Sequence, residues 1–331
     1  MPIPILYNKK FNELTEDEKE LLKINKKSIS DFVEQSSIIS DVNYATRNAH
    51  AKTYAVLKGE FIINRDLPDQ LQPFFDKERY ELVIRFSNAH LKIKQSKKDI
   101  PAYGFSVKIK DDNGEVLANY PLVNFPLFPV NSVSTFLKLF TSINHFFIKK
   151  WNNLFPLLIQ IVKATPSLFT FSFLKNIVRL IGQRNHFFLS FDYHSIGAYR
   201  LGEYVMKIQL SPKSVEKNFG RKMNTREAIE SYFTTNDYTA DVFIQLCYDL
   251  KDQPINKLNR EWKNSPLIKV GEVKIEKNSI LERTCENELL SFNPFESKTI
   301  FQPVGKIQKL RDETYKVSVQ TRRKINKLLH G

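Results

Sequence analysis

The chain has little of several things. It has only two cysteines, Cys247 and Cys285, and neither belongs to a C-x-x-C pair. That argues against a disulfide framework and against a structural zinc site, and it fits a reducing compartment. No run of roughly 18 uncharged apolar residues occurs, so no membrane-spanning helix is expected. The first residues, MPIPILYNKKFNELTEDEKE, lack a basic region followed by an apolar core, so no secretory leader is expected either. There is no internal repeat and no linker rich in Gly, Ser or Pro. Although Lys and Arg exceed Asp and Glu by 14, no zinc finger, RNA-binding aromatic signature or long basic block accompanies them. Nucleic acid is therefore not the expected partner. The basic excess instead suits a solvated surface or peripheral contact with an anionic membrane, and the expected location is the cytoplasm.

What is abundant is phenylalanine, with 26 residues in 331. Phe carries no hydrogen-bonding group, so it belongs in a large core or along the wall of a flat apolar pocket. Residues 1–40 are charged and helix-prone, with Thr15 opening a helix, and read as an N-terminal arm. Residues 41–331 read as one domain. Three antiparallel strands are expected at Thr53–Asn64, Tyr80–Ser87 and Tyr103–Lys110, the last ending in the tight-turn signal Asp111-Asp112-Asn113-Gly114. Between 127 and 190, Phe, Leu and Ile recur at helical spacing, and Pro156 and Pro166 are expected to break the helices. Further strands are expected at Tyr204–Leu210, Val242–Leu250 and Leu267–Lys277, with a helix at Thr225–Tyr232 and a closing helix from about Gly305 to Leu329. This is an α+β pattern with a large antiparallel sheet.

The closing helix carries chemistry on one face. Arg311 and Tyr315 are four residues apart, and Arg322 lies seven beyond Tyr315. A guanidinium beside a phenol favours the phenolate, a hard anionic ligand suited to ferric iron. Upstream stand Arg47-Asn48-Ala49-His50-Ala51-Lys52, then Arg85-Phe86-Ser87, then the Gly104-Phe105-Ser106-Val107-Lys108 strand, and Asn124-Phe125-Pro126. In that order, and ending in Arg311 and Tyr315, these segments resemble the haem catalases over residues 40–325, most of all the short catalase-related haem proteins.

The resemblance implies a catalase-like antiparallel β-barrel with surrounding helices and a C-terminal proximal haem helix. It implies haem, of the b type with Fe3+, held by Tyr315, with Arg311 keeping that ligand ionised. His50 would be the distal acid–base, Ser87 would orient its ring, and Asn124 would hold the peroxide. Arg47, Arg85 and Arg322 would neutralise the haem propionates. The implied activity is that of a catalase- or peroxidase-type oxidoreductase acting on hydrogen peroxide or an organic or lipid hydroperoxide, and homo-oligomers are compatible with it. Two alternatives stay open. One is isomerisation or dehydration of fatty-acid hydroperoxides, as in allene oxide synthases. It is suggested by Ala49, which stands where catalases often have Val, and by the Phe- and Leu-rich helices. The other is a haem-binding relative without turnover. Of the other histidines, His90, His145, His186, His194 and His330, none shows metal-ligand spacing.

Overall fold

A computed structural model describes residues 3–94, 99–128, 130–168 and 171–330. The helix α1 (Glu16–Glu34) starts where the sequence places it. Thr15 and Glu18 form a reciprocal capping box, which satisfies two backbone N–H groups that a helix start leaves open. A short turn, α2 (Ser36–Ile39), follows. The first sheet strands are β1 (Lys52–Ile63), β2 (Arg79–Asn88) and β3 (Tyr103–Lys110), close to the expected spans. At the turn, Gly114 takes φ 77° and Asp111 Oδ1 accepts from the backbone N–H groups of Asn113 and Glu115. The chain then returns as β4 (Val116–Val123). The turn is legible in the sequence, but this strand is not among those expected from it, because Asn119 and Pro121 interrupt the usual β-rich texture.

The apolar middle forms α3 (Val133–Lys149), α4 (Leu154–Leu168) and α5 (Phe171–Gly182). The two prolines do not act as the expected breakers. Pro156 lies in the first turn of α4, where its missing N–H has no intrahelical partner to lose, and Pro166 is carried inside the last turn. Then come β5 (Tyr193–His194), β6 (Ala198–Leu201), β7 (Tyr204–Pro212), α6 (Thr225–Thr235), β8 (Tyr238–Leu246) and β9 (Leu267–Ile275). Strand β8 begins and ends four residues earlier than expected. Tyr238–Ala240 pairs with Val273–Ile275, and at the other end Gln253 Oε1 accepts from Tyr248 and Asp249, turning the chain away. The chain closes with α7 (Cys285–Leu289), β10 (Pro303–Val304) and α8 (Lys306–His330).

All strand pairings are antiparallel. The order β7-β5-β4-β3-β2-β1-β9-β8 closes on itself through β8 and β7, giving an eight-stranded barrel, while β6 and β10 continue beside β7. Closure removes the unpaired edges that an open sheet exposes. The barrel interior accounts for much of the phenylalanine: Phe86, Phe105, Phe188 and Phe233 are fully buried there, in contact with Tyr193 and Tyr238. Each such ring contributes about 1.5–3 kcal/mol by leaving water. An apolar cavity of about 250 Å³ lies among Phe61, Tyr120, Met206 and Ile244, and none of the sequence-predicted site residues lines it. Helix α1 packs on α3 and α8 outside the barrel. Cys247 is a free, buried thiol, and the side chains of Cys285 and His330 lie outside the described residues. No helix among the described residues is long and apolar enough to cross a membrane.

Candidate active site

Strand alternation builds the site. On β2, Phe86 points into the barrel, so its neighbours Arg85 and Ser87 point outward. Register then sets Thr53, Ser87, Gly104 and Val123 in one row across β1 to β4. His50 precedes β1 by two residues, and a bulge between Thr53 and Ala55 lets the chain enter the sheet there.

His50 has φ 49°, a left-handed conformation that costs a non-glycine residue about 1–3 kcal/mol. Neighbouring groups hold it. Arg85 Nη2 donates to the His50 carbonyl at 2.7 Å, and the Ala51 N–H donates to the His90 carbonyl at 2.9 Å. The His50 ring sets Nδ1 3.2 Å from Ser87 Oγ. Ser87 Oγ also reaches the Gly104 carbonyl at 3.5 Å. With its hydrogen directed there, Ser87 accepts from Nδ1–H, which leaves Nε2 as the free base. Gly104 is needed for this packing. A Cβ at that position would lie 2.6 Å from Ser87 Oγ and 2.7 Å from His50 Nδ1.

Asn124 closes the same corner. Its Oδ1 accepts from Tyr103 N–H at 2.8 Å, and its Nδ2 donates to the Pro101 carbonyl at 3.1 Å. The amide thus ties the end of β4 to the start of β3, with one N–H left over for another acceptor.

The second half of the site lies on α8. Arg311 Nη2 donates to the Tyr315 hydroxyl at 3.1 Å, and Arg311 Nη1 donates to Gln308 Oε1 at 2.8 Å. Further along, Asn326 receives the Ala45 N–H at 2.8 Å and donates to the Ala45 carbonyl at 3.2 Å. This clamp fixes the segment leading to Arg47 and His50 against the helix that carries Tyr315.

Electrostatics joins the two halves. Burial, then the charges of Arg85, Arg311 and Arg47, press the His50 pKa down to about 3. Burial, then Arg47, presses Arg85 well below the usual arginine range, and burial with Arg47 and Arg323 does the same to Arg322. For Arg311, burial opposes the charge, but Tyr315 and Tyr199 outweigh it and hold the pKa above the usual value. Arg47 donates to the carbonyls of Glu288 and Leu290, both at 2.9 Å. Arg85 donates to Thr53 Oγ1 at 2.9 Å, and the buried Nε of Arg322 has no partner among the described residues. None of these three guanidiniums makes an ion pair with a carboxylate among the described residues. The carboxylate that Arg47 and Arg85 feel, Glu288, is paired with Arg283 at 3.3 Å. A cation cluster left this way lacks an anion.

The structure therefore brings His50, Ser87 and Asn124 together with Arg47, Arg85, Arg311, Tyr315 and Arg322. Sequence reading missed four supporting residues. Gly104 stood inside a quoted strand motif but was not given a role. Gln308 and Asn326 continue the Arg311–Tyr315–Arg322 face by three and four residues, and that spacing was the available signal. Thr53 had none.

No known family profile matches the chain, and no curated protein does. Solved structures do match. A fungal catalase superposes with a TM-score of 0.60 at 16% identity, covering 86% of this chain and 61% of that one. A bacterial catalase gives 0.59 at 15%, covering 97% and 63%. Catalase A from Saccharomyces cerevisiae gives 0.59 at 17%, covering 97% and 67%. The chain has a catalase-like α+β fold, as its closed barrel and flanking helices require. It spans 61% and 63% of the length of the first two catalases.

Proposed function

We propose that the chain is a haem-dependent hydroperoxidase, with Tyr315 as the residue that would hold the iron and His50 as the acid–base. The observation that carries this reading is the cluster of buried Arg85 and Arg322 with half-buried Arg47, without carboxylate partners among the described residues, beside the Arg311–Tyr315 pair. Two propionates are the anions such a cluster fits, and a phenol held by a guanidinium is a donor that ferric iron accepts. The residues therefore fit a haem b. Bound there, haem would supply a Lewis-acidic, redox-active iron for peroxide O–O cleavage.

The protein's own part is proton movement. With haem bound, Nε2 of His50 would take the proton from one peroxide oxygen and return it to the other, so that the departing oxygen could leave as water or an alcohol. Ser87 keeps the ring in the tautomer that can do this. Asn124 offers its remaining N–H to the peroxide. The intact His50–Ser87 pair favours turnover over mere haem storage. A second reading, conversion of a fatty-acid hydroperoxide, is favoured by one contact. Phe125, next to Asn124, meets Phe173 of α5 edge-on at 5.5 Å, so an apolar helix adjoins the peroxide side.

The test is reconstitution with haemin followed by peroxide. A visible haem spectrum and oxygen release from hydrogen peroxide are expected. Loss of a fatty-acid hydroperoxide without oxygen would select the second reading, and failure to take up haemin would end both. The pH dependence is also specific. The base form of an imidazole with an ordinary pKa of about 6.5 falls about 25-fold on going from pH 7 to pH 5. His50, held near 3, stays neutral across that range. The rate should therefore change less than about twofold between pH 7 and pH 5, measured as initial velocity on the reconstituted protein; a fall of about 25-fold would contradict a neutral, cation-flanked His50.

A further inference from the structure

Helices α4 and α5 each turn a stripe of large apolar side chains outward. On α4 the stripe is Phe155, Leu158 and Val162, and on α5 it is Phe171, Leu174, Val178 and Ile181. The spacings of three and four residues put each set on one helical face. Phe155 is 73% exposed, Phe171 84% and Val178 70%. The inner face is separately satisfied, since Leu157, Ala164 and Phe173 are buried. Scattered exposed apolar residues are ordinary, but an outward apolar stripe on each of two successive helices is not.

Charge identifies the occupant. From residue 116 to residue 191 the sequence has no Asp or Glu, against seven Lys and Arg. Lys163, Lys175 and Arg179 are exposed on these two helices. A second copy of the chain would set this cationic face against itself. An anionic lipid surface offers both an apolar interior and negative headgroups, and outward apolar stripes flanked by cations are how helices lie in that interface.

We infer that the outward stripes of α4 and α5 dock the protein on anionic membranes, with Phe155, Val162, Phe171 and Val178 entering the acyl boundary and Lys163, Lys175 and Arg179 meeting headgroups. The inference stands on this surface alone and does not require the haem reading.

The test is flotation of the full chain with vesicles of phosphatidylcholine and phosphatidylserine, against phosphatidylcholine alone. Binding at low salt should be about tenfold or more stronger to the mixed vesicles and should fall as salt rises. Val178→Asp with Phe155→Asp should abolish it. Lys163→Gln and Lys175→Gln should weaken it about fivefold each. These side chains are exposed, so an unchanged melting curve checks that the variants fold. Absence of flotation at low salt would overturn the proposal. So would flotation that survives Val178→Asp with Phe155→Asp. A concentration-dependent dimer that Val178→Asp dissociates, without vesicle binding, would assign the face to self-association instead.

Discussion

Replacing His50 by Ala should lower peroxide turnover by about 10²–10⁴-fold while leaving the haem spectrum largely in place. The size of the effect follows from what the imidazole alone provides. Among the groups gathered on that side, Ser87 is a weak acid and Asn124 has no basic atom, so no neighbour can take a proton at neutral pH. His50 is kept neutral by burial and by Arg85, Arg311 and Arg47, so its full population is the base form. Ala occupies φ 49° with similar strain, and Arg85 still reaches the backbone carbonyl of residue 50, so the local backbone should persist. His50→Gln, which keeps polar bulk without a base, should lose nearly as much. Oxygen release or hydroperoxide consumption is measured on haem-loaded protein, with occupancy fixed by the visible spectrum. A variant that keeps more than half the rate would remove His50 from proton transfer.

Removing the ring also changes the acid response of stability. A histidine whose folded pKa lies below its unfolded value of about 6.5 contributes stability that is complete above that value. It is lost as pH falls from about 6.5 towards 3, because the unfolded chain binds the proton first.

How much of this was legible in sequence depends on the kind of contact. The period of two in Tyr103–Lys110 is local, so it put Phe105, Val107 and Ile109 on one face, the face that packs in the core. Helical spacing likewise put Arg311, Tyr315 and Arg322 on one side of α8. The Asn326–Ala45 clamp spans 281 positions, and no local rule announces such a bond. The strain at His50 was equally invisible, since it is held by Arg85 from another strand and by the Ala51 bond to the His90 carbonyl. Pro156 and Pro166 misled for a physical reason: a proline in the first turn removes no helical hydrogen bond, and one near the end of α4 leaves few residues beyond it to disturb. Charge was legible in total but not in place. Its grouping with the outward stripes of α4 and α5 needed the fold.

Tyr315→Phe should purify and reconstitute with little or no haem, or with a sharply altered spectrum. The substitution removes one oxygen. That oxygen is the acceptor for Arg311 Nη2, while the nearby carboxylates of Asp312 and Glu313 are engaged by Lys316 and Lys26. Phe cannot ligate iron, and the cationic cluster would then have to hold haem through its propionates alone. The apo fold should survive, because Tyr315 is only partly buried and one lost hydrogen bond costs about 0.5–1.5 kcal/mol. Melting of the apo variant separates loss of the ligand from loss of the fold. Tyr315→His supplies a different donor and should recover haem with a histidine-type spectrum. If Tyr315→Phe instead binds haem with unchanged stoichiometry and spectrum, another residue holds the iron, and Arg311 and Tyr315 serve only to pack α8 against the barrel.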